Sequence, residues 1–418
     1  KKTDFNKAVA ESGISETEIR AFAELLIEKK KIIVCWAMGL TQHKNAVNTI
    51  REVVNLLLVK GSIGKPGAGT CPVRGHSNVQ GDRTMGIWEK PNPDFLNKLE
   101  EHFSIQCPRE DGYDAVEAIK AMNDNKVRVF MAMGGNFISA TPDSEYTGKA
   151  MQNCDLTIQV STKLNRSHLV TGKEALILPC ETDIQATGKQ FITVENSMGI
   201  VHKSKGSFDP ASPHLQSEHA IIAGIANATF KNSPINWTAM KDDYNIVRNH
   251  IAATIPGFEN FNEKVQQPSG FYLPNGARER NFNLPDKKAK FTVNPLAENK
   301  VAKDNFIMMT IRTHDQYNTT IYGMDDRYRG IINERRVILM NKSDIEESNL
   351  QAEQIVHLTS FFNGEERIAH NFKIVPYNIA KGCVATYFPE TNVLVPIDSV
   401  ADKSNTPVSK FIEVAISH

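Results

Sequence analysis

The run "KIIVCWAM", residues 31 to 38, is short, almost wholly apolar, and stops at Gly39. A run of that length and character reads as a strand covered on both faces. The residues after it place Val47, Ile50, Val53, Val54, Leu57 and Leu58 on one side of a 3.6-residue repeat, with Gly61 set to end it. The strand–helix pair then recurs. "DAVEAIKAM" reads as a helix, and "KVRVFMAM" as a strand broken by Gly134, Gly135 and Asn136. "DLTIQV" and "EALILP" read as further buried strands, the second closed by Pro179. Ahead of them Ser15 and Glu18 form a capping box for a helix whose apolar face is Ile19, Phe22, Leu25 and Leu26. Such alternation dictates a mostly parallel sheet, which binds ligands at the carboxyl ends of its strands.

The pattern changes twice. Between about 252 and 300 prolines and asparagines replace periodicity, which predicts a connector laid over the surface. Beyond it "FIMMTIRT", "RRVILM", "QIVHLTSFF", "FKIVPY", "CVATYF" and "KFIEVAI" are short strands at turn-punctuated spacing, as in a small barrel or sandwich. The expected organisation is an α/β region over 1–250 with a break near 75, a connector over 251–300, and a β domain over 301–418.

Composition removes several functions. Lys plus Arg and Asp plus Glu are equal at 48 each over 418 residues, and no basic cluster is interleaved with aromatics, so a nucleic-acid partner is not expected. No apolar run approaches a membrane span, and "KKTDFNKAVAESG" has no signal-peptide core. The cysteines at 35, 71, 107, 154, 180 and 383 form no Cys-x-x-Cys pair, so they read as reduced cytoplasmic thiols and not as metal ligands.

Three segments join strand ends, glycines and polar side chains. "WAMGLTQH" (36–43) ends a strand at a glycine and presents Gln42, which can donate and accept. "MAMGGNFISATPD" has two glycines suited to a pyrophosphate, and "STKLNRSH" places Ser161, Thr162, Asn165 and Arg166 at the end of the next strand. "GSIGKPGAGTCPVRGHSNVQG" (61–81) sets Arg74 and His76 among glycines. Taken singly, the first two also fit ordinary turns with solvated polar residues.

Their order and spacing resemble the formate dehydrogenase-like molybdopterin oxidoreductases. "ALILPCETDIQATG", "IRTHDQYNTTIYG" and "SNTPVSKFIEV" extend the likeness over nearly the whole chain, and "GFYLPNGARERNF" with His76 points to the FdhF/YdeP-type branch. The resemblance implies Rossmann-like parallel-sheet domains followed by a six-stranded double-psi β-barrel. It implies a bis-molybdopterin guanine dinucleotide cofactor carrying Mo or W. It also implies two-electron oxidation or reduction of a small anionic substrate.

By the same resemblance Arg74 lies beside the metal and helps to hold the anion, as its planar fork allows, with Gly75 and His76 next to it. Met38, Gly39 and Gln42 match strand-end contacts to one dinucleotide. Gly134, Gly135 and Asn136, with Ser161, Thr162 and Asn165, match the zone that receives a phosphate and guanine. Arg312, Thr313, His314, Gln316 and Asn318 match the first cofactor loop of the C-terminal domain, and Asn392, Ser409 and Lys410 the last.

Formate dehydrogenases of this family carry glutamine where this chain has His76. The 4Fe-4S cysteines and the metal-ligating residue are expected in an N-terminal half that precedes these residues, and no metal ligand is expected here. A cofactor-free relative serving as scaffold in an electron-transfer complex is the competing reading. A nucleotide-binding Rossmann protein is disfavoured, since no G-x-G-x-x-G follows a strand.

Overall fold

A computed structural model of the chain describes residues 4–181, 190–206, 208–298, 300–317, 319 and 321–418. The fold is mixed α/β, with parallel sheets and a closed six-stranded barrel. The chain divides into two compact units. One takes Lys1–Val73, Ser139–Tyr146 and Gly276–His418, and the other takes Arg74–Ile138 and Thr147–Asn275.

The first unit opens with helix Phe5–Ser12 and helix Glu16–Glu28, the latter started by the Ser15–Glu18 capping box. Strands β1 (Ile33–Trp36) and β2 (Gly69–Pro72) run parallel, Ile33 beside Gly69 and Trp36 beside Pro72. Helix Ala46–Val59 crosses between them and ends before Gly61, whose φ of 61° suits a residue without a Cβ. Burial on both faces is not what β1 shows: Ile33 is 55% exposed and Cys35 is exposed. A two-stranded sheet has one ladder and two open edges, so apolar character alone does not enclose it.

The second unit is built on β3 (Val129–Met133), β4 (Leu156–Ser161) and β5 (Glu174–Glu181), parallel and in that spatial order. Helix Ala115–Asn123, capped by Asp114, seals one side with the enclosed Val116, Ile119 and Met122. β5 was also expected to be buried, yet Leu176 and Ile177 are 49% and 45% exposed. The next described strands, β6 (Ile192–Glu195) and β7 (Ile200–Ser204), form a separate antiparallel hairpin, and among the described residues only the two-residue β8 (Gln216–Ser217) pairs with the β5 edge.

The stretch expected to be a surface connector is anchored in its first half. Phe258, Phe261 and Val265 are at most 1% exposed and share a core with Val201 and Leu273, while β9 (Phe271–Tyr272) pairs with β7. Irregular spacing hides these anchors from any periodicity test. In its second half Asn55 of the first unit exchanges two hydrogen bonds with the Thr292 backbone, at 2.8 and 3.1 Å.

The barrel uses β10 (Phe306–Ile311), β11 (Val337–Met340), β12 (Ile355–Phe362), β13 (Glu365–Pro376), β14 (Cys383–Tyr387) and β15 (Ile412–Ser417). It closes in the order β10-β14-β11-β13-β12-β15, with β10/β14 and β11/β13 parallel and the other pairs antiparallel. Alternate residues point inward, and Met308, Ile338, Leu358, Phe372 and Val414 are fully enclosed. Each such side chain contributes roughly 1.5–3 kcal/mol. Segment Ser139–Tyr146 is fastened to this barrel. The Asn392 amide donates to the carbonyls of Ser139 (2.6 Å) and Thr141 (3.1 Å), and Arg367 donates to Asp143 (3.0 Å). Among the described residues no helix is long and apolar enough to cross a membrane.

Candidate functional site

Candidate residues fall into two groups, one in each unit. In the first unit the barrel loop at Ser409–Lys410 is held by Thr310 on β10. Both the Thr310 N–H and its hydroxyl donate to the Ser409 carbonyl, at 3.1 and 3.0 Å. The Lys410 N–H donates to the Gln42 carbonyl (3.2 Å), which brings the Met38–Thr41 turn against the same loop. The Lys410 ammonium donates to the Thr310 carbonyl and also to its hydroxyl at 3.2 Å.

This corner is electropositive. Burial, with Arg312 nearby, lowers the Lys410 pKa to about 8. Burial alone lowers that of Arg312, whose guanidinium lies 4.9 Å from the Phe388 ring centre. No carboxylate acts on either group. His43, in the same turn as Gln42, is pushed toward neutrality by burial and secondarily by Lys410, against a Gly39 backbone hydrogen bond. Two half-buried cations without a counter-ion among the described residues are favoured by an anion that joins them.

Other predicted residues here have structural partners. Gln316 gives its amide hydrogen to the Phe388 carbonyl (2.9 Å) and accepts from Arg335 (3.1 Å) and from the Thr313 N–H (3.3 Å). Arg335, 3% exposed, also pairs with Glu390 through Nε at 2.6 Å and a terminal nitrogen at 3.0 Å. Asn392 is 1% exposed, with its amide nitrogen committed to segment Ser139–Tyr146. His314 stacks on Tyr328 with ring centres 3.7 Å apart. Thr313 and Ser409 are buried, Met38 and Gln42 are half-buried, and Gly39 is exposed. Asn318 lies outside the described residues, as do residues 182–189 of the "ETDIQATG" segment.

In the second unit Gly134 and Gly135 follow β3 with φ of 67° and 73°. A Cβ built on either meets nothing within 4 Å, so the left-handed turn faces open space. Asn165, after β4, ties the two strand ends together by donating to the Gly135 carbonyl at 2.7 Å. Its Oδ1 accepts from the Ser167 N–H (3.0 Å), and Ser167 in turn donates to the buried Asn136 at 3.0 Å. Thr162 is exposed beside the buried Ser161.

Three enclosed polar atoms at this end have no partner: Gln159 Nε2, Ser161 Oγ and His168 Nε2. His168 Nδ1 lies 3.0 Å from the Asn165 N–H and 3.2 Å from the Asn165 carbonyl oxygen. Gln159 Nε2 and Ser161 Oγ can donate, and donors on a strand that ends near a glycine turn suit phosphate or carbonyl oxygens. Gln159 and His168 escaped the motif reading. The available signal was Thr157, Gln159 and Ser161, a polar stripe on one face of an otherwise apolar strand.

Arg74 and its neighbours Gly75 and His76 are exposed in this unit. One Arg74 guanidinium nitrogen donates to Gln80 Oε1 at 3.2 Å, a neutral partner that leaves its charge available to an anion. Among the described residues no group of three or more His, Cys, Asp or Glu could hold a metal ion.

A family model described as "Molybdopterin oxidoreductase" matches residues 10–168, and one described as "Molydopterin dinucleotide binding domain" matches 306–413. An uncharacterized oxidoreductase of Mycobacterium tuberculosis is 50% identical over 416 residues, covering 97% of this chain and 53% of that protein. Protein YdeP of Escherichia coli is 41% identical over 415 residues, covering 97% and 55%. The chain thus spans about half the length of the curated relatives it matches. Among solved structures, the acetylene hydratase of Pelobacter acetylenicus aligns with a TM-score of 0.63 at 12% identity, over 97% of this chain and 63% of its own, a likeness of fold.

Proposed function

Because the chain belongs to the molybdopterin oxidoreductase family, we propose that it forms part of a molybdopterin guanine dinucleotide site carrying Mo or W in a formate dehydrogenase-type enzyme. The observation that carries this reading is the pair of half-buried cations, Lys410 and Arg312, with no carboxylate among the described residues acting on either. Within the second unit, the unpartnered donors Gln159 Nε2 and Ser161 Oγ near the Gly134–Gly135 turn suit a phosphate or guanine oxygen by themselves. When bound, the cofactor supplies the two-electron chemistry.

The residues of this chain bind and orient. Lys410 and Arg312 offer charge to phosphate oxygens, and the orphaned donors offer hydrogen bonds to phosphate or to a guanine carbonyl. Arg74 holds the substrate, a small monoanion of the formate kind, because a guanidinium never deprotonates and can grip a carboxylate with two parallel N–H groups. The Gln80 contact steadies Arg74 without neutralising it. A 4Fe-4S cluster belongs to sequence outside this chain.

The test is the full-length protein. Molybdenum or tungsten by elemental analysis, GMP after acid hydrolysis, and formate-dependent reduction of an artificial electron carrier are expected together. Metal and GMP both absent would leave the scaffold reading standing instead.

A further inference from the structure

Glu195 closes strand β6 and is 6% exposed, one of the most enclosed carboxyls described. Its backbone N–H donates to Asn78 Oδ1 at 3.0 Å, and Asn78 is the residue that starts helix Val79–Thr84. That helix carries Gln80, whose Oε1 holds Arg74, and Thr84, whose hydroxyl donates to the Gln80 carbonyl at 3.2 Å. Glu195 Oε2 has no hydrogen-bond partner. A cavity of about 370 Å³ is walled by Glu195, Gln80, Thr84, Ser197 and Asn275, and closed by Pro256, Leu273 and Pro274. A polar space of that size holds several waters at about 30 Å³ each.

An enclosed carboxyl with one unsatisfied oxygen is unfavourable as a structural device, because an apolar residue of the same shape would serve the packing better. Next to a polar cavity large enough for water it can exchange protons. Oxidising or reducing a small anion moves protons as well as electrons, and Arg74 cannot give up its own.

We propose that Glu195 is the proton acceptor and donor of the Arg74 site, exchanging protons with water held in the cavity it shares with Gln80. The inference rests on the reading of Arg74 as the anion-holding residue. The step is a proton transfer alone. One O–H bond of a cavity water breaks as the Oε2–H bond forms, the water recovers a proton from the substrate side, and the reverse sequence returns the proton to solvent.

The surroundings support this role. Burial raises the Glu195 pKa, against a smaller lowering from the neighbouring Thr84 hydroxyl, and no charged neighbour enters. The charged or titratable groups on the packed elements are Asp82 and Arg83 on the helix and His202 and Lys203 on β7. Arg83 pairs with Glu89 and Lys203 with Gln266. A raised carboxyl pKa weakens the fold as pH rises from the unfolded to the folded value, so Glu195→Gln should stabilise the protein at neutral pH and do nothing at pH about 4.

The experiment uses the full-length protein, with Glu195→Gln as the isosteric variant and formate as the probe anion. Infrared spectroscopy should show a protonated-carboxyl band that titrates above the ordinary carboxylate range, as burial dictates. The band should vanish in Glu195→Gln and persist in Arg74→Gln, since no charged neighbour sets it. Formate-dependent turnover in Glu195→Gln should fall about 100-fold and lose one limb of its pH profile, with Glu195→Asp restoring part of it. No such band, or a band that survives in Glu195→Gln, overturns the proposal whether or not the protein turns over formate. Absence of metal and GMP would instead defeat the cofactor reading, which the infrared titration does not depend on.

Discussion

Arg312 depresses the proton affinity of Lys410: two cations sit within electrostatic reach in the barrel's polar corner, and burial first, then Arg312, bring Lys410 to about 8. Lys410 has a folded pKa below its unfolded value of about 10.4. Its charge is therefore a penalty, present in full below about pH 8 and gone above about 10.4. Apoprotein stability should rise with pH across that window. Dinucleotide affinity should fall across it, because the ligand's phosphates want the protonated form. Lys410→Met should raise the apoprotein melting temperature at pH 7 by about 2–4 °C and cut GMP content. A melting temperature that drops, with GMP intact, would make Lys410 a structural residue. Calorimetry at two pH values and acid-hydrolysis GMP assays decide it.

The glycine turn makes a separate claim. Gly134→Ala and Gly135→Ala place a methyl group where nothing lies within 4 Å, at φ of 67° and 73°. The backbone penalty is about 1–2 kcal/mol each. Apoprotein should therefore remain folded, while cofactor retention falls because the methyl occupies the space the phosphate needs. Wild-type metal and GMP content in both variants would remove this turn from the site.

Ser161→Ala removes an enclosed hydroxyl that bonds to nothing. Deleting a satisfied buried hydroxyl typically destabilises by about 1 kcal/mol. Here the apoprotein should be unchanged or slightly more stable, and the loss should show only in dinucleotide content. Denaturant unfolding of apoprotein beside GMP analysis separates the two effects.

Arg74→Lys keeps the charge and loses the fork. With a charge-assisted hydrogen bond worth about 1.5–3 kcal/mol, formate-dependent turnover should fall roughly 10- to 100-fold at constant molybdenum content. Turnover equal to wild type would exclude Arg74 from substrate binding. Turnover falling only in step with molybdenum would make it a cofactor contact.

Arg335 tests the scaffold and not the chemistry. It is 3% exposed and grips Glu390, Gln316 and the Phe388 carbonyl at once. Arg335→Ala strands Glu390 in the interior and should destabilise by about 3–5 kcal/mol. Chemical denaturation is the measurement, and a loss under about 1 kcal/mol would show that water replaces the guanidinium there.

Local signals carried far where the physics is local. The Ser15–Glu18 capping box needs only residues three apart, and each of the six barrel strands announces itself by its own apolar run. Enclosure is not local. "KIIVCWAM" and "EALILP" look alike in composition to fully covered strands, yet Ile33 and Leu176 are about half exposed because neighbouring strands are few. Phe258 and Phe261 gave the opposite error, aromatic anchors at a spacing no helix or strand template matches. At the site, Arg312 and Lys410 were legible as cations in polar turns. That burial acts on both while no carboxylate does is a property of the folded barrel. Glu195 was invisible, since nothing around it in "FITVENSMG" says that its carboxyl ends in a cavity.

The first unit is assembled from three lengths of chain, with junctions at 73/74, 138/139, 146/147 and 275/276. A ribosome delivers these lengths far apart in time. The middle one, Ser139–Tyr146, emerges long before Asn392 and Arg367, the residues that will hold it. The barrel closes only when Ile412–Ser417 slots between Phe306–Ile311 and Ile355–Phe362, so the earliest-made part of this unit waits for the latest. No single backbone cut can release both units whole, and a stop codon that removes the final strand unseals a structure begun some four hundred residues upstream.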